Sequence, residues 1–207
     1  MIEEANREEA LFRGYTVVDP PSVLSTHLTE LIRIHAAELL GRQDVQRLLD
    51  NLRNEQPAVV DAVVPDVLSL GDVHRVLQRL LEERESIRDL PTALETLADH
   101  AGTVKDVTSL TERVLTALAR TISQQYRSDD GNVHCFLFHP ELEQQIAAAT
   151  RDTTSGVVVA LPPDDIEQIL TMVTEATQTV VASGGQPIVV CSQQIRIAVR
   201  RMTERRL

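Results

Sequence analysis

Apolar side chains recur at steps of three and four residues through most of the region between Ser22 and Arg127. This spacing places them along one face of an α-helix, so each run predicts an amphipathic helix. Gly41 follows the first run at the position where a glycine often ends a helix. The runs are Leu24, Leu28, Leu31, Ile32 and Leu39; Val45, Leu48, Leu49 and Leu52; Val60, Val63, Val64 and Val67; Val73, Val76, Leu77, Leu80 and Leu81; and Leu110, Val114, Leu118 and Ile122.

Three predicted helix starts carry a serine followed by an acidic residue three positions later. They begin at Ser69, Ser86 and Ser109. A serine side chain can cap the first turn while the acid binds back to the cap, which is the capping-box arrangement. Pro91 is compatible only with a first helical turn, so the second start can shift from Ser86 to Asp89.

The N-terminal region predicts a different kind of element. Residues 2–13 form a short predicted helix that ends at Gly14, and Tyr15–Val18 is a brief apolar strand that stops at Asp19. A four-residue strand cannot stand alone and has to join a sheet. The next predicted strand begins only at Val133, so we expect the partner strand to be remote or to lie outside this chain.

After the turn-rich stretch at 128–132 the pattern alternates between strand and helix. This alternation favours a small α/β subdomain with some parallel strand pairing. The predicted elements are strands at 133–138, 157–161 and 188–191, and helices at 140–150, 164–182 and 193–205. Taken together, the chain is predicted to be α+β and mostly helical.

Composition and charge narrow the function classes. The net charge is −11 and aromatics make up 2% of the residues, with no Trp. An acidic chain with few aromatic side chains for bases to stack on is poorly suited to bind nucleic acid, so no nucleic-acid partner is expected. No apolar run reaches the ~18–20 residues that a transmembrane helix needs, and the acidic N-terminus is unlike a signal peptide. We expect a soluble, cytoplasmic chain that does not insert into the membrane.

Catalytic and cofactor motifs are missing from the sequence. There is no phosphate-binding loop, dinucleotide fingerprint, HExxH or CxxC. His134, Cys135 and His139 lie close together, but adjacent residues on a strand point to opposite faces and make poor joint ligands. Cys191 lies at a strand-to-helix turn that lacks the glycines of a nucleophile elbow. We expect no catalytic residue, metal or cofactor; a small α/β thiol enzyme centred on Cys135 or Cys191 is the alternative.

Several motifs, read in order, resemble the cytoplasmic domain of the type III secretion export-gate family, which serves bacterial flagella and virulence injectisomes. The helical stretches carry most of the resemblance, and the last motifs are closest to the injectisome branch. The motifs are GYTVVDP from Gly14, VLSTHL from Val23, ELLGRQDVQRLLD from Glu38, VPDVLSL from Val64, the run from Val73 to Ala101 with SIRDL and LETLAD, LTERV from Leu110, FLF from Phe136, TTSG from Thr153 and QPIVVCS from Gln186.

The resemblance implies a function in binding, not catalysis. Members of this family form a nonameric ring of cytoplasmic domains at the bacterial inner membrane. Chaperone–substrate complexes and other export-apparatus proteins dock there before export. By this resemblance residues 1–19 end a first subdomain, 20–127 form a helical subdomain, and 133–207 form an α/β subdomain expected to lack its last strands. A free-standing soluble regulator derived from such a gate is an alternative.

The resemblance also implies one candidate site. In flagellar members a threonine in the first motif borders a hydrophobic dimple that receives chaperones. By position this residue is Thr16, next to Tyr15. Tyr15 and Thr16 are therefore the predicted chaperone-binding residues.

Overall fold

A computed structural model describes residues 6–128, 131–153 and 156–204. The elements follow in chain order and are numbered separately for helices and strands. They are α1 (Arg7–Phe12), α2 (Pro20–Ile34), α3 (Ala36–Leu39), α4 (Arg42–Glu55), α5 (Pro57–Asp61), α6 (Leu70–Glu82), α7 (Leu90–His100), α8 (Val107–Ala117), α9 (Ala119–Gln125), β1 (Cys135–Leu137), α10 (Pro140–Ala149), β2 (Thr150–Thr153), β3 (Gly156–Val159), α11 (Pro163–Ala182), β4 (Ile188–Val190) and α12 (Gln193–Thr203).

The chain forms two compact units, residues 1–122 and 123–207. Helices make up the first unit, whereas the second combines helices with short strands. The predicted α+β, mostly helical fold class is confirmed. Within the described ranges, no helix combines the length and the apolar character needed to cross a bilayer.

The core of the first unit is aliphatic and lies around α6, which packs against α3, α4 and α8. Most of its fully buried side chains come from the predicted stripes, and Leu94 and Leu97 of α7 add to them. They include Val45, Leu49, Val60, Val63, Val73, Val76, Leu77, Leu80, Leu94, Leu97, Leu110 and Val114. The periodicity therefore located the parts of this core that α4, α5, α6 and α8 supply.

Local capping explains where most of these helices begin. Ser69 caps α6 in a complete capping box with Asp72, as predicted. Asp89, not Ser86, caps α7 and receives the Thr92 N–H, because Pro91 has to lie in the first turn. The predicted start at Ser109 is wrong. Asp106 caps α8, and Ser109 donates its backbone N–H to that carboxylate at 2.7 Å.

Other predicted boundaries differ from the structure. The first long helix breaks at His35. Gly41 does follow the C-cap of α3, Leu40, but it is extended, with a φ of −88°, and it is also the N-cap of α4. The single helix predicted from the run between Leu110 and Ile122 is interrupted at Leu118. Tyr15–Val18 is extended but belongs to neither sheet of the described residues. A strand is defined by its partner, and this segment has no strand partner in the described part of the chain.

The second unit contains two separate two-stranded sheets within the described residues. β1 and β4 are parallel, with Cys135 opposite Ile188 and Leu137 opposite Val190. The predicted parallel pairing is therefore confirmed. β2, which was not predicted, forms an antiparallel ladder with β3. Its polar sequence, Thr-Arg-Asp-Thr, carries little strand signal, and pairing with β3 makes it a strand.

Helices α10, α11 and α12 supply the core of the second unit. Its buried side chains are Ile146, Ile169, Val173, Ile195, Ala198 and Val199. Two polar contacts between distant positions add to this packing. Glu143 Oε1 accepts the backbone N–H of Ser192 at 3.0 Å, and Arg201 donates to the carbonyl of Val157 at 2.7 Å. These contacts connect α12 to α10 and to β3.

Candidate functional site

The predicted site residues lie just after a chain reversal at the end of α1. Gly14 has a φ of +82°, a left-handed conformation that favours glycine. The N–H of Gly14 donates to Leu11 and the N–H of Tyr15 donates to Ala10, both to backbone carbonyls. These two bonds are the pattern of a Schellman motif. The motif turns the chain back, so that the extended segment after Gly14 runs beside α1.

A groove of about 570 Å³ lies between α1 and this extended segment. Tyr15 and Thr16 both line it, so the structure places the two predicted site residues together. The remaining lining residues are Asn6, Glu9, Ala10 and Arg13 from the helical side and Val17 and Val18 from the extended side. The sequence analysis did not identify these six residues. Their helical members do carry a signal, because steps of three and four residues put them on one helix face.

The groove combines apolar and charged surface. Tyr15 is 66% exposed and Val18 is 53% exposed, whereas Val17 is half-buried. Arg13 forms an ion pair with Glu9 at 2.5 Å, and both side chains are largely exposed. Such an exposed pair contributes little to stability and remains available to a partner. The surface therefore suits an amphipathic protein segment better than a small molecule that needs an enclosed cavity.

A cap closes the segment on its C-terminal side. Asp19 accepts the backbone N–H of Ser22 at 2.9 Å and the hydroxyl of Ser22 at 2.7 Å. These hydrogen bonds, with the hydroxyl bond the stronger influence, lower the pKa of the Asp19 carboxyl. Pro20 and Pro21 occupy the first helical positions, where the missing N–H costs nothing. Gly14 and Asp19 thus define both ends of the extended segment.

The thiol and histidine candidates do not form a second site. Cys135 is exposed on β1, and half-buried Cys191 packs against the core of the second unit. His139 caps α10 by accepting the backbone N–H of Glu141 at 3.4 Å. Among the residues that the structure describes, no cluster of three or more His, Cys, Asp or Glu side chains could hold a metal ion.

The similarity to known proteins extends over the whole chain. The sequence profile of the FHIPEP family matches residues 1–207. The chain belongs to the FHIPEP family. It is 39% identical over 204 residues to the flagellar biosynthesis protein FlhA of Bacillus subtilis, covering 99% of this chain and 30% of that protein. It is 38% identical over 206 residues to FlhA of Escherichia coli K12, covering 100% of this chain and 29% of that protein.

This FHIPEP family member thus spans about 30% of the length of the FlhA relatives. Solved structures agree with the family. One is the Chlamydia pneumoniae CdsV and CdsO complex, with a TM-score of 0.83 and 26% identity over 99% of this chain and 60% of that one. Another is nonameric SctV-C of EPEC, with a TM-score of 0.82 and 28% identity over 98% of this chain and 61% of that one. The predicted resemblance to the type III export-gate family is confirmed.

Proposed function

We propose that this chain forms part of the cytoplasmic face of a bacterial type III export gate. There it assembles with further copies of itself and docks chaperone–substrate complexes before export. Its function is binding, and no step of chemical catalysis is assigned to it. Other export-apparatus proteins are further partners, and the site of action is the cytoplasmic side of the inner membrane.

The similarity to nonameric SctV-C carries the self-assembly part of the proposal. That protein matches 98% of this chain at a TM-score of 0.82, so nearly the complete backbone has a counterpart in a subunit of a ring. The CdsV structure contains CdsO, which supports contacts with a second export protein. Symmetric rings need a heterologous surface on each subunit, and a shared backbone can preserve the shape of that surface.

The groove between α1 and the extended segment supports the docking part of the proposal. It places Tyr15 and Thr16 at the edge of an open, partly apolar surface with one ion pair. Exposed apolar patches with a polar rim are typical of protein-interaction sites, and tyrosine is common among their strongest contributors. A chaperone that presents an amphipathic helix would find both apolar contacts and hydrogen-bonding groups here.

Binding to a chaperone–substrate complex from the same genome tests the docking proposal. Titration calorimetry with the chain should give saturable binding, and Thr16→Asp should weaken it about tenfold or more by placing a charge in the apolar contact. Thr121→Asp is the matched control, because Thr121 is also exposed but lies on α9. Equal affinities of the two variants would remove the groove from the proposal.

Light scattering over a range of concentrations tests self-assembly separately. The expected result is a mass that rises with concentration toward a closed ring. A mass of one chain at every concentration, in the presence and absence of the chaperone complex, would overturn this part of the proposal.

A further inference from the structure

A second groove lies within the second unit, between the N-terminal halves of α10 and α11. Its volume is about 290 Å³, and its apolar lining consists of Leu142 from α10 and Ile169 and Met172 from α11. Leu142 and Ile169 belong to the core of this unit, whereas Met172 is 44% exposed. The α10–α11 groove is therefore an opening in the surface through which an apolar side chain from outside can reach the margin of the core.

The rim of the α10–α11 groove is acidic. Glu141 and Asp165 line it from opposite helices. Neither helix contains Lys or Arg, and their carboxylates are Glu141, Glu143, Asp164, Asp165, Glu167 and Glu175. Acidic residues in a first turn stabilise a helix through its dipole, but the partial charge at each helix N-terminus is only about +0.5. Two N-termini therefore offset only a small part of the negative charge of these helices.

The histidine beside this rim does not neutralise it. Nδ1 of His139 accepts the backbone N–H of Glu141 at 3.4 Å, so this nitrogen carries no proton in that contact and the ring is neutral. The same nitrogen lies 3.8 Å from Oε2 of Glu141, whose side chain is 89% exposed. Glu141 is thus accessible to a cation that a partner brings.

We infer that the α10–α11 groove docks an amphipathic helix of a partner protein that carries Lys or Arg beside its apolar residues. An apolar side chain of that helix enters between Leu142 and Met172, and its cations lie beside Glu141 and Asp165. Helices that bind in grooves use apolar residues three or four positions apart as anchors. Methionine suits this contact, because its flexible side chain adapts to the shape of the anchor.

Charge argues for a partner other than a second copy of this chain. The chain has a net charge of −11, so two copies repel each other at long range. α12 carries Arg196, Arg200 and Arg201, but it buries its apolar face in the core of its own unit. α12 therefore cannot offer an apolar anchor to the groove of a second copy. A basic partner complements the acidic rim instead.

Binding of designed peptides to the 207-residue chain tests the inference. The probe is a fluorescein-labelled peptide of about 15 residues, with Leu at steps of three and four positions and Lys elsewhere. A second peptide has Glu in place of every Lys. Fluorescence anisotropy measures the dissociation constant of each peptide. The Lys peptide should bind saturably, and the Glu peptide should bind about tenfold more weakly or worse. Equal affinities of the two peptides would overturn the inference.

Charge reversal shows whether the Lys peptide binds at the groove. Combining Glu141→Lys with Asp165→Lys should weaken binding about tenfold or more, because two attractive contacts become repulsive. The control combines Glu95→Lys with Glu175→Lys, which changes the net charge equally at exposed positions outside the groove. Circular dichroism verifies the fold of both proteins. The same affinity in both would mean that the total charge attracts the peptide, and the inference would fail.

The apolar contact has its own matched pair of variants. Met172→Ser should weaken binding of the Lys peptide about threefold or more, because the anchor loses apolar surface to pack against. Val181→Ser is the control, since Val181 is 55% exposed and lies on the same helix outside the groove. No difference between these two variants would contradict an anchor in the groove.

Two further measurements separate this groove from other binding surfaces. Thr16→Asp should change the affinity for the Lys peptide by less than about twofold; a larger loss would place the peptide in the groove at Tyr15 and overturn the inference. Self-association in light scattering that is lost on combining Glu141→Lys with Asp165→Lys would assign the groove to a second copy and overturn the proposed partner. The inference does not rest on chaperone docking: peptide binding without chaperone binding would contradict the proposed function alone.

Discussion

His74 and Leu40 lie 34 positions apart, and the imidazole Nε2 of the first is 2.7 Å from the carbonyl oxygen of the second. The nitrogen acts as the donor in this contact, because a carbonyl oxygen can only accept. His74 is half-buried. Gln78 donates to the carbonyl of Ala37 and so forms a second hydrogen bond between α6 and the α3 region.

Removing this donor should destabilise the first unit. We expect His74→Leu to lower the free energy of unfolding by about 0.5–1.5 kcal/mol, because the carbonyl of Leu40 loses its partner in a half-buried position. Urea unfolding followed by circular dichroism measures the change. Arg47→Ala is the control: its ion pair with Asp44 is exposed, and its loss should change stability by less than about 0.5 kcal/mol. Equal effects of both substitutions would contradict a structural role for His74.

A carboxylate from a different helix caps α12. Glu143 Oε1 accepts the Ser192 N–H at 3.0 Å, and the Ser192 side chain makes no capping bond of its own. We expect Glu143→Ala to destabilise the second unit by about 0.5–2 kcal/mol, as loss of a helix cap does. Glu143→Gln keeps an acceptor oxygen and should retain most of the stability. Gln144→Ala, an exposed neighbour, should have little effect in the same unfolding experiment.

Gly156 is required for two independent reasons. Its φ is +109°, and a Cβ at this position would overlap the guanidinium of Arg201. Gly156→Ala should therefore cost about 1–3 kcal/mol of unfolding free energy, through backbone strain and displacement of the guanidinium. Gly102→Ala is the matched control, since a Cβ there meets no atom within 4 Å. Thermal unfolding measures the stability of both variants, and equal losses of stability would contradict this prediction.

Helix caps make the stability of the first unit sensitive to acid. A hydrogen bond from the Ser69 hydroxyl lowers the pKa of Asp72 below its usual value of 3.8. At Asp106, burial raises the carboxyl pKa, but the hydrogen bonds from Ser109 and Thr108 and the charge of Arg79 together outweigh burial, and the net pKa is lowered. A carboxyl with a lowered folded-state pKa stabilises the fold above its unfolded pKa. The stabilisation is lost as the pH falls through the folded pKa.

Substitution of Ser69 tests this dependence. Ser69→Ala should lower the free energy of unfolding by about 1 kcal/mol at pH 7. The difference from the parent chain should shrink as the pH falls below 3.8, because Asp72 becomes protonated in both proteins. Urea unfolding at pH 7, 5 and 3 measures the trend. A difference that stays constant over this range would rule out the Asp72 carboxylate as the source.

Helix positions were predictable where local signals agree. α6 has both a strong apolar period and a capping box at Ser69 and Asp72, and the structure contains the helix from Leu70 to Glu82. The start of α8 was missed because the spacing of Ser109 and Glu112 imitates a capping box, whereas the actual cap, Asp106, has no acidic residue three positions later. β2 was missed because its polar residues become a strand only through pairing with β3.

The candidate site was predictable only in part. Tyr15 and Thr16 came from the family resemblance, and the structure puts both on one groove. The α1 residues opposite them could be found as one helix face. Their position beside Thr16 depends on the left-handed turn at Gly14, which periodicity does not describe.

The sequence by itself determined which segments form helices, the capping box at Ser69, and which face of each helix is apolar. These properties depend on neighbours within a few residues, so local patterns contain them. Tertiary structure decided which apolar faces are buried. The stripes of α2 and α6 have the same spacing, yet Leu77 on α6 is fully buried and Leu28 on α2 is 58% exposed. Burial needs a partner surface at the right place, and periodicity records only that a face is apolar.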